Sequence, residues 1–188
     1  METLNQYIQF IQEAELLKGV LRSARHSSGR QESTAEHSWR LALLAAVMLE
    51  EYPELDGGKV LTMCLIHDLG EIYDGDIPAI MMPDAAEKLA SEEKAVEKIL
   101  GLLPPGLNAR YMSIWREYVN VSSDEARLVK ALDKAETIIQ HNQGKNPDDF
   151  DYEFNLDYGK EHFEQDPLLA KLRKKLDHDT GSKIIPQS

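Results

Sequence analysis

His67 and Asp68 stand side by side at the end of the apolar run MCLI, and a neutral imidazole next to a carboxylate is a nitrogen and oxygen pair suited to a divalent transition metal. The dipeptide alone says little, because His178-Asp179 repeats it among polar tail residues. Context separates the two. A charge that closes an apolar run is costly to bury unpaired, so Asp68 requires a cation or a salt bridge. Asp133, inside LVKALDKAETII, faces the same demand: it either pairs with Lys130 or Lys134 or joins a metal on which other ligands converge. His37 shares the side of its helix with Leu41 and Leu44, where a histidine is either a hydrogen-bonded core residue or a further nitrogen donor. Glu161-His162 sits in an acidic context with no companion residues. Glu71 follows Asp68 by three residues, one turn on if the helix continues, as a proton carrier or as a carboxylate that only supports the helix end. Gly75 frees the backbone to bend, so Asp76 either returns toward the same point or bonds its own turn.

These residues need helices to hold them. Leu4, Tyr7, Ile8, Ile11 and Ala14 repeat at helical spacing and predict a first helix to about Leu17 with one buried stripe. RSARHSSGRQES, Arg22 to Ser33, reads as an irregular polar loop containing three arginines. Ser33 and Glu36 have capping-box spacing and open a second helix through Leu41, Leu44, Ala45 and Met48, ending near Pro53. After Gly57-Gly58, KVLTMCLIHDL predicts a buried central helix; EIYDGDIPAIMMP, with Gly75, Pro78 and Pro83, predicts turns. Asp84 to Leu103 reads as a surface helix stopped by Pro104-Pro105-Gly106, and Leu107 to Val119 as another. A second capping box, Ser122 to Glu125, opens the helix that carries Val129, Leu132, Asp133 and Ile139 and stops at NQGKNPDDFD. HDTGSKIIPQS reads as a frayed end. Trp39, Trp115 and Tyr118 are expected in the core rather than as base-stacking platforms, and Cys64 as a small core residue.

No period-two segment of useful length occurs, so the fold class is all-α. With 188 residues, no internal repeat and no long linker, one domain over 1–188 is expected, with its chemistry between about 10 and 140 and further helices after 145. Lys and Arg number 21 against 33 Asp and Glu, a net charge of -12, which argues against a nucleic-acid duplex as partner. The longest apolar run, Leu41 to Leu49, is about half of what a membrane-spanning helix requires. METLNQ lacks the basic and hydrophobic regions of a signal peptide, and the single cysteine cannot form an internal disulfide. A cytoplasmic location is the expectation.

Together, His37, His67-Asp68 and Asp133, each on a separate predicted helix, resemble the metal site of the HD-domain phosphohydrolase superfamily. RQESTAEHSW at 30–39, HDLGEIYDGDIP at 67–78, and LLPPGL followed by IWREY and SSDEARLVKALDKAE are similar in order and spacing to its bacterial 5'-deoxynucleotidase-like branch. The resemblance covers about residues 10 to 140, and the C-terminal part beyond is expected to add no chemistry. It implies a compact HD-domain helical bundle and one divalent metal (manganese, cobalt, zinc, iron or magnesium) held by His37, His67, Asp68 and Asp133. Members with two metals insert extra histidines between the HD pair and the last aspartate; this chain has none between 68 and 133.

The resemblance also implies that Glu71 and Asp76 are the catalytic acid/base pair, orienting or deprotonating the attacking water and assisting the leaving group. Asp68 and Asp133 balance a divalent ion, but Glu71 and Asp76 leave about -2 facing a phosphomonoester of similar charge. Cations must therefore lie close. Arg22, Arg25 and Arg30 are the candidates, since a guanidinium fork matches phosphate oxygens. Arg22 resembles the family's phosphate-contacting arginine, and Arg30 with Glu32 its R-x-E element, both on the substrate-binding side. Ser23 stands where the best-characterised relatives carry tryptophan, in the region that helps set preference for a 2'-deoxy sugar. The implied reaction is hydrolysis of a small-molecule phosphate ester, foremost a (deoxy)nucleoside 5'-monophosphate, and relatives are often homodimers. The alternatives are a metal and nucleotide sensor without turnover, and a phosphodiesterase or triphosphohydrolase on the same scaffold.

Overall fold

The computed structural model describes residues 1–81 and 84–184. Helix α1 (Glu2–Ala14) has the expected period, but Leu4, Tyr7, Ile8 and Ile11 are exposed. The predicted burial of that stripe is corrected: α1 lies at the rim, meeting the rest through Phe10 and Ala14, and only Leu17 in the following 3-10 turn Glu15–Gly19 is buried. The stretch expected to be an irregular loop is a small antiparallel hairpin of β1 (Leu21–Arg25) and β2 (Gln31–Ser33). Strands of this length and polarity carry no readable alternation. They are held from outside, Gln140 donating to the Arg25 carbonyl at 2.6 Å and Arg22 to the Thr137 hydroxyl at 3.1 Å.

Ser33 caps α2 (Thr34–Met48) with both halves of the predicted capping box in place. Asp56 caps α3 (Gly57–Ile66), accepting from the Lys59 N–H at 3.0 Å. The helix does not run on through the HD pair as expected: it stops at Ile66, and a 3-10 turn, Leu69–Glu71, follows. Asp84 caps α4 (Ala85–Leu100), and Pro105 opens α5 (Pro105–Asn120) at a position where its missing N–H costs nothing. The cap of α6 (Asp124–Gln143) is Ser123 rather than Ser122. A short α7 (Phe154–Asp157) leads to α8 (Pro167–Ile184).

The expected fraying is also corrected, since α8 is helical to Ile184 and the buried Thr180 exchanges hydrogen bonds with Asn142. Residues 185–188, and the turn expected at Pro83, lie outside the described residues. Helix α6 runs through the centre, its Val129, Leu132, Ala135 and Ile138 packed with Leu41 and Ala45 of α2, Met63 and Cys64 of α3, and Trp115 of α5. Trp115 and Tyr118 are buried as expected. Trp39 is not: it is 62% exposed, because the inward face of α2 is taken by Thr34, His37, Leu41 and Ala45. Among the described residues no helix is long and apolar enough to cross a membrane.

Candidate metal centre

The four residues singled out as metal ligands meet. His37 comes from α2, His67 and Asp68 from the end of α3, and Asp133 from α6. His37 Nε2 lies 3.2 Å from Asp133 Oδ1 and 3.8 Å from Asp68 Oδ2; His67 Nε2 lies 3.0 Å from Asp68 Oδ2 and 4.0 Å from Asp133 Oδ1. His67 Nδ1 donates to the Cys64 carbonyl at 2.9 Å, which leaves its Nε2 as a bare lone pair. That atom is buried and has no hydrogen-bond partner among the described residues. A lone pair aimed at two carboxylates is repulsive unless a cation stands between them, so this donor set fits a divalent ion. The His37 imidazole points the same way. Burial and Arg22 oppose its proton, yet hydrogen bonds to Asp133 and Glu136 outweigh them and push it up to about 9. The pocket favours positive charge at this point.

Glu136, which sequence reasoning missed, lies behind the ligands. Its carboxylate accepts from His37 Nδ1 at 2.5 Å, fixing the tautomer that presents Nε2 inward, as carboxylates behind metal-bound histidines commonly do. The available signal was its place three residues after Asp133, on the same helix face. Trp115 Nε1 donates to the His67 carbonyl at 3.1 Å, and the Tyr118 hydroxyl to Asp133 Oδ2 at 2.8 Å. Asp133 Oδ2 also takes Lys134 Nζ at 2.9 Å. The ion pair weighed against the metal reading thus exists beside it, on the other oxygen of the same carboxylate.

His67, Asp68 and Asp133 line a cavity of about 820 Å³. Glu71 lines it too, buried and accepting from the Thr34 hydroxyl at 3.1 Å. Burial, then the charges of Asp68 and Asp76, push its carboxyl up to about 9. Gly75 takes φ 86°, as the expected bend requires, and Asp76 returns to the cavity wall. Arg22 reaches in from β1, with Nη1 3.6 Å from Asp68 Oδ2 and Nε 3.5 Å from Glu32 Oε2. Burial opposes its charge, but Asp68, Asp76, Asp133 and Glu71 together raise it above the usual guanidinium range. Glu32 stays behind Arg22, its carboxyl pushed up to about 7 by burial and by Glu136.

The remaining arginines divide. Arg25 lines the cavity, with Nη1 donating to the Gly29 carbonyl at 2.8 Å. Arg30 does not: it lies on the surface, paired with Glu36 at 2.7 Å. The stretch beyond 140 contributes walls that no sequence motif announced, among them Phe150, Phe154 and Tyr158. His178 is exposed on α8 and Glu161-His162 lies at a different pocket, so neither decoy joins the centre.

Fold and site together define a helical protein built around a buried His/Asp centre of metal-ligand composition. Residues 14–173 match the family model described as HD domain, and the chain belongs to that family, the phosphohydrolase superfamily that its motifs resemble. It is 36% identical over 136 residues to the 5'-deoxynucleotidase HDDC2 of Homo sapiens, a match covering 71% of this chain and 65% of the human protein's length. The 5'-deoxynucleotidase HDDC2 of Dictyostelium discoideum is 28% identical over 191 residues, covering 94% of this chain and 99% of that protein. Among solved structures, a predicted metal-dependent phosphohydrolase from Magnetospirillum magnetotacticum MS-1 is similar with a TM-score of 0.82, at 29% identity and 97% coverage of both chains.

Proposed function

We propose that the chain is a metal-dependent phosphohydrolase acting on phosphate monoesters, foremost (deoxy)nucleoside 5'-monophosphates, to give a nucleoside and inorganic phosphate. The observation that carries this is the convergence of His37, His67, Asp68 and Asp133 beside a cavity that also holds Glu71 and the buried guanidinium of Arg22. The printed activity of the HDDC2 relatives supports the nucleotide class of substrate. One divalent ion held by those four residues would polarise a phosphoryl oxygen and lower the pKa of bound water. Manganese, cobalt, zinc, iron and magnesium all suit the donor set closely enough to be tested.

The protein's own groups do the rest. Arg22, tied to Thr137 and facing Asp68, is pre-positioned to bind phosphate oxygens without losing its charge. Arg25 adds a second guanidinium at the wall. Glu71, buried at the cavity wall, orients the attacking water and in its ionised form takes its proton. Asp76, at the cavity wall, is the group placed to assist the departing 5' oxygen. Water thus forms the new P–O bond as the bond to the sugar oxygen breaks.

The test pairs metal analysis with phosphate release from a panel of nucleoside monophosphates under each of the five metals. Asp68→Asn and His67→Ala lose metal and turnover together, whereas Glu71→Ala keeps the metal and loses roughly 100-fold to 10,000-fold in kcat. Full activity in a metal-free Asp68→Asn protein would overturn the reading. Nucleotide binding with no phosphate released from any monoester would leave a sensor. Release only from diesters or triphosphates would shift the assignment to those substrates.

A further inference from the structure

Five basic side chains line the cavity: Arg22, Arg25, Lys88, Lys130 and Lys134. Four have oxygen partners. Arg22 faces Asp68, Arg25 donates to the Gly29 carbonyl, Lys88 lies 3.3 Å from Glu92, and Lys134 holds Asp133. Lys130, which the sequence offered as a partner for Asp133, has neither an ion pair nor a hydrogen bond among the described residues. Its ammonium rests instead on the face of Tyr118, 3.7 Å from the ring centroid. A cation–π contact replaces only part of the hydration that a half-buried ammonium loses. Burial and Lys134 push its pKa down to about 8 even though Asp133, Asp68 and Glu92 favour its charge.

Its position is as informative as its lack of a partner. The ring under Lys130 is the one whose hydroxyl holds Asp133, so the ammonium and this residue of the centre meet on one side chain. Along α6, Lys130 comes three residues before Asp133, and Thr137, which anchors Arg22, four after it; all three share a face. Seven residues of helix span roughly 10 Å. Arg22 and Lys130 therefore bracket Asp133, one from each side.

We propose that Lys130 is a substrate-binding residue whose ammonium takes a phosphate oxygen of the ester from the side of the centre opposite Arg22. This rests on reading the cavity as a phosphomonoesterase site. It also adds to the charge balance there, because an ammonium without an ion-pair partner among the described residues joins Arg25 in meeting a dianion that Arg22, already facing Asp68 and Glu32, only partly compensates.

Inorganic phosphate is the probe. Calorimetric titration of metal-loaded protein, with metal content and thermal midpoint measured on the same samples, compares wild type, Lys130→Met and Lys130→Arg. Losing one charge-assisted contact is expected to weaken phosphate binding roughly tenfold to a hundredfold in Lys130→Met, with metal content and midpoint held, and Lys130→Arg restores most of it. In turnover, KM rises by a similar factor while kcat changes less. Equal phosphate affinity in wild type and folded Lys130→Met overturns the proposal, as does a loss that follows metal or fold rather than charge. Lys130→Gln serves the same comparison where the methionine variant does not fold. A wild type that hydrolyses no ester, yet binds phosphate through Lys130, would end the enzyme reading and keep the anion site.

Discussion

His67 and Asp68 were legible because their types carry chemistry wherever they stand, and the apolar run before them demanded a compensating cation. Glu136 was not, since one more carboxylate on a charged helix is unremarkable until His37 is seen to turn its Nδ1 onto it. That hydrogen bond holds the ring so that Nε2 faces inward. Glu136→Gln keeps the shape but exchanges a charged acceptor for a neutral amide that can rotate. Metal affinity is expected to fall by roughly 10-fold to 100-fold, read by competition with a chelator of known strength, with circular dichroism unchanged. An affinity equal to wild type would remove Glu136 from the centre. Lys130 teaches the converse: sequence spacing made it and Lys134 equivalent candidates for Asp133, and only the folded geometry gives Asp133 to one and leaves the other facing the cavity.

At the scale of elements, the capping box at Ser33 was read correctly, the cap of α6 was placed one residue early, and the break after α3 was missed. The helix stops at Ile66, and the 3-10 turn brings Gly70 so close to α4 that a Cβ at position 70 would come within 2.6 Å of the Glu92 Cβ. That approach, invisible in a pattern of apolar residues, is what directs Glu71 inward. The hairpin was missed because its strands are short, polar and held by α6. The capping box at Ser33 gives the pH test. Hydrogen bonding to Arg30, then to Ser33 against the opposing effect of burial, holds the Glu36 carboxyl down at about 2. A carboxyl depressed in the folded chain stabilises it above the ordinary value of 4.5, and that contribution fades as pH falls from there toward 2. Glu36→Gln is therefore less stable than wild type at neutral pH, and the gap closes across this window, as urea denaturation at stepped pH would show. Ser33→Ala costs about 1 kcal/mol. A gap for Glu36→Gln that stays constant down to pH 2 would mean that the charge of Glu36 plays no part.

For the whole molecule, the centre is where segments far apart in the chain are tied together. His37, His67-Asp68 and Asp133 bring α2, α3 and α6 to one point, and these helices also contribute to one buried core. Packing holds them in contact, with Arg22 beside Asp68, Lys134 on Asp133 and the buried His67 Nε2 left unmatched, a place that a divalent ion would fill. Metal binding should therefore stabilise the entire fold rather than a loop. A ligand at 100 times its dissociation constant adds about 2.7 kcal/mol when it binds only the folded state. For a chain of this length each kcal/mol shifts the thermal midpoint by roughly 2–4 °C, so saturating metal should raise it by roughly 5–11 °C, and excess chelator should reverse the shift. Asp68→Asn removes one proposed ligand together with the carboxylate that faces Arg22 and the two imidazoles. Its metal-free midpoint should thus lie at or below that of metal-free wild type, and added metal should move it little. Calorimetry of the two proteins, each with and without metal, separates a fold that awaits an ion from one already at rest: identical midpoints for wild type in both conditions would mean that the four side chains are satisfied by one another.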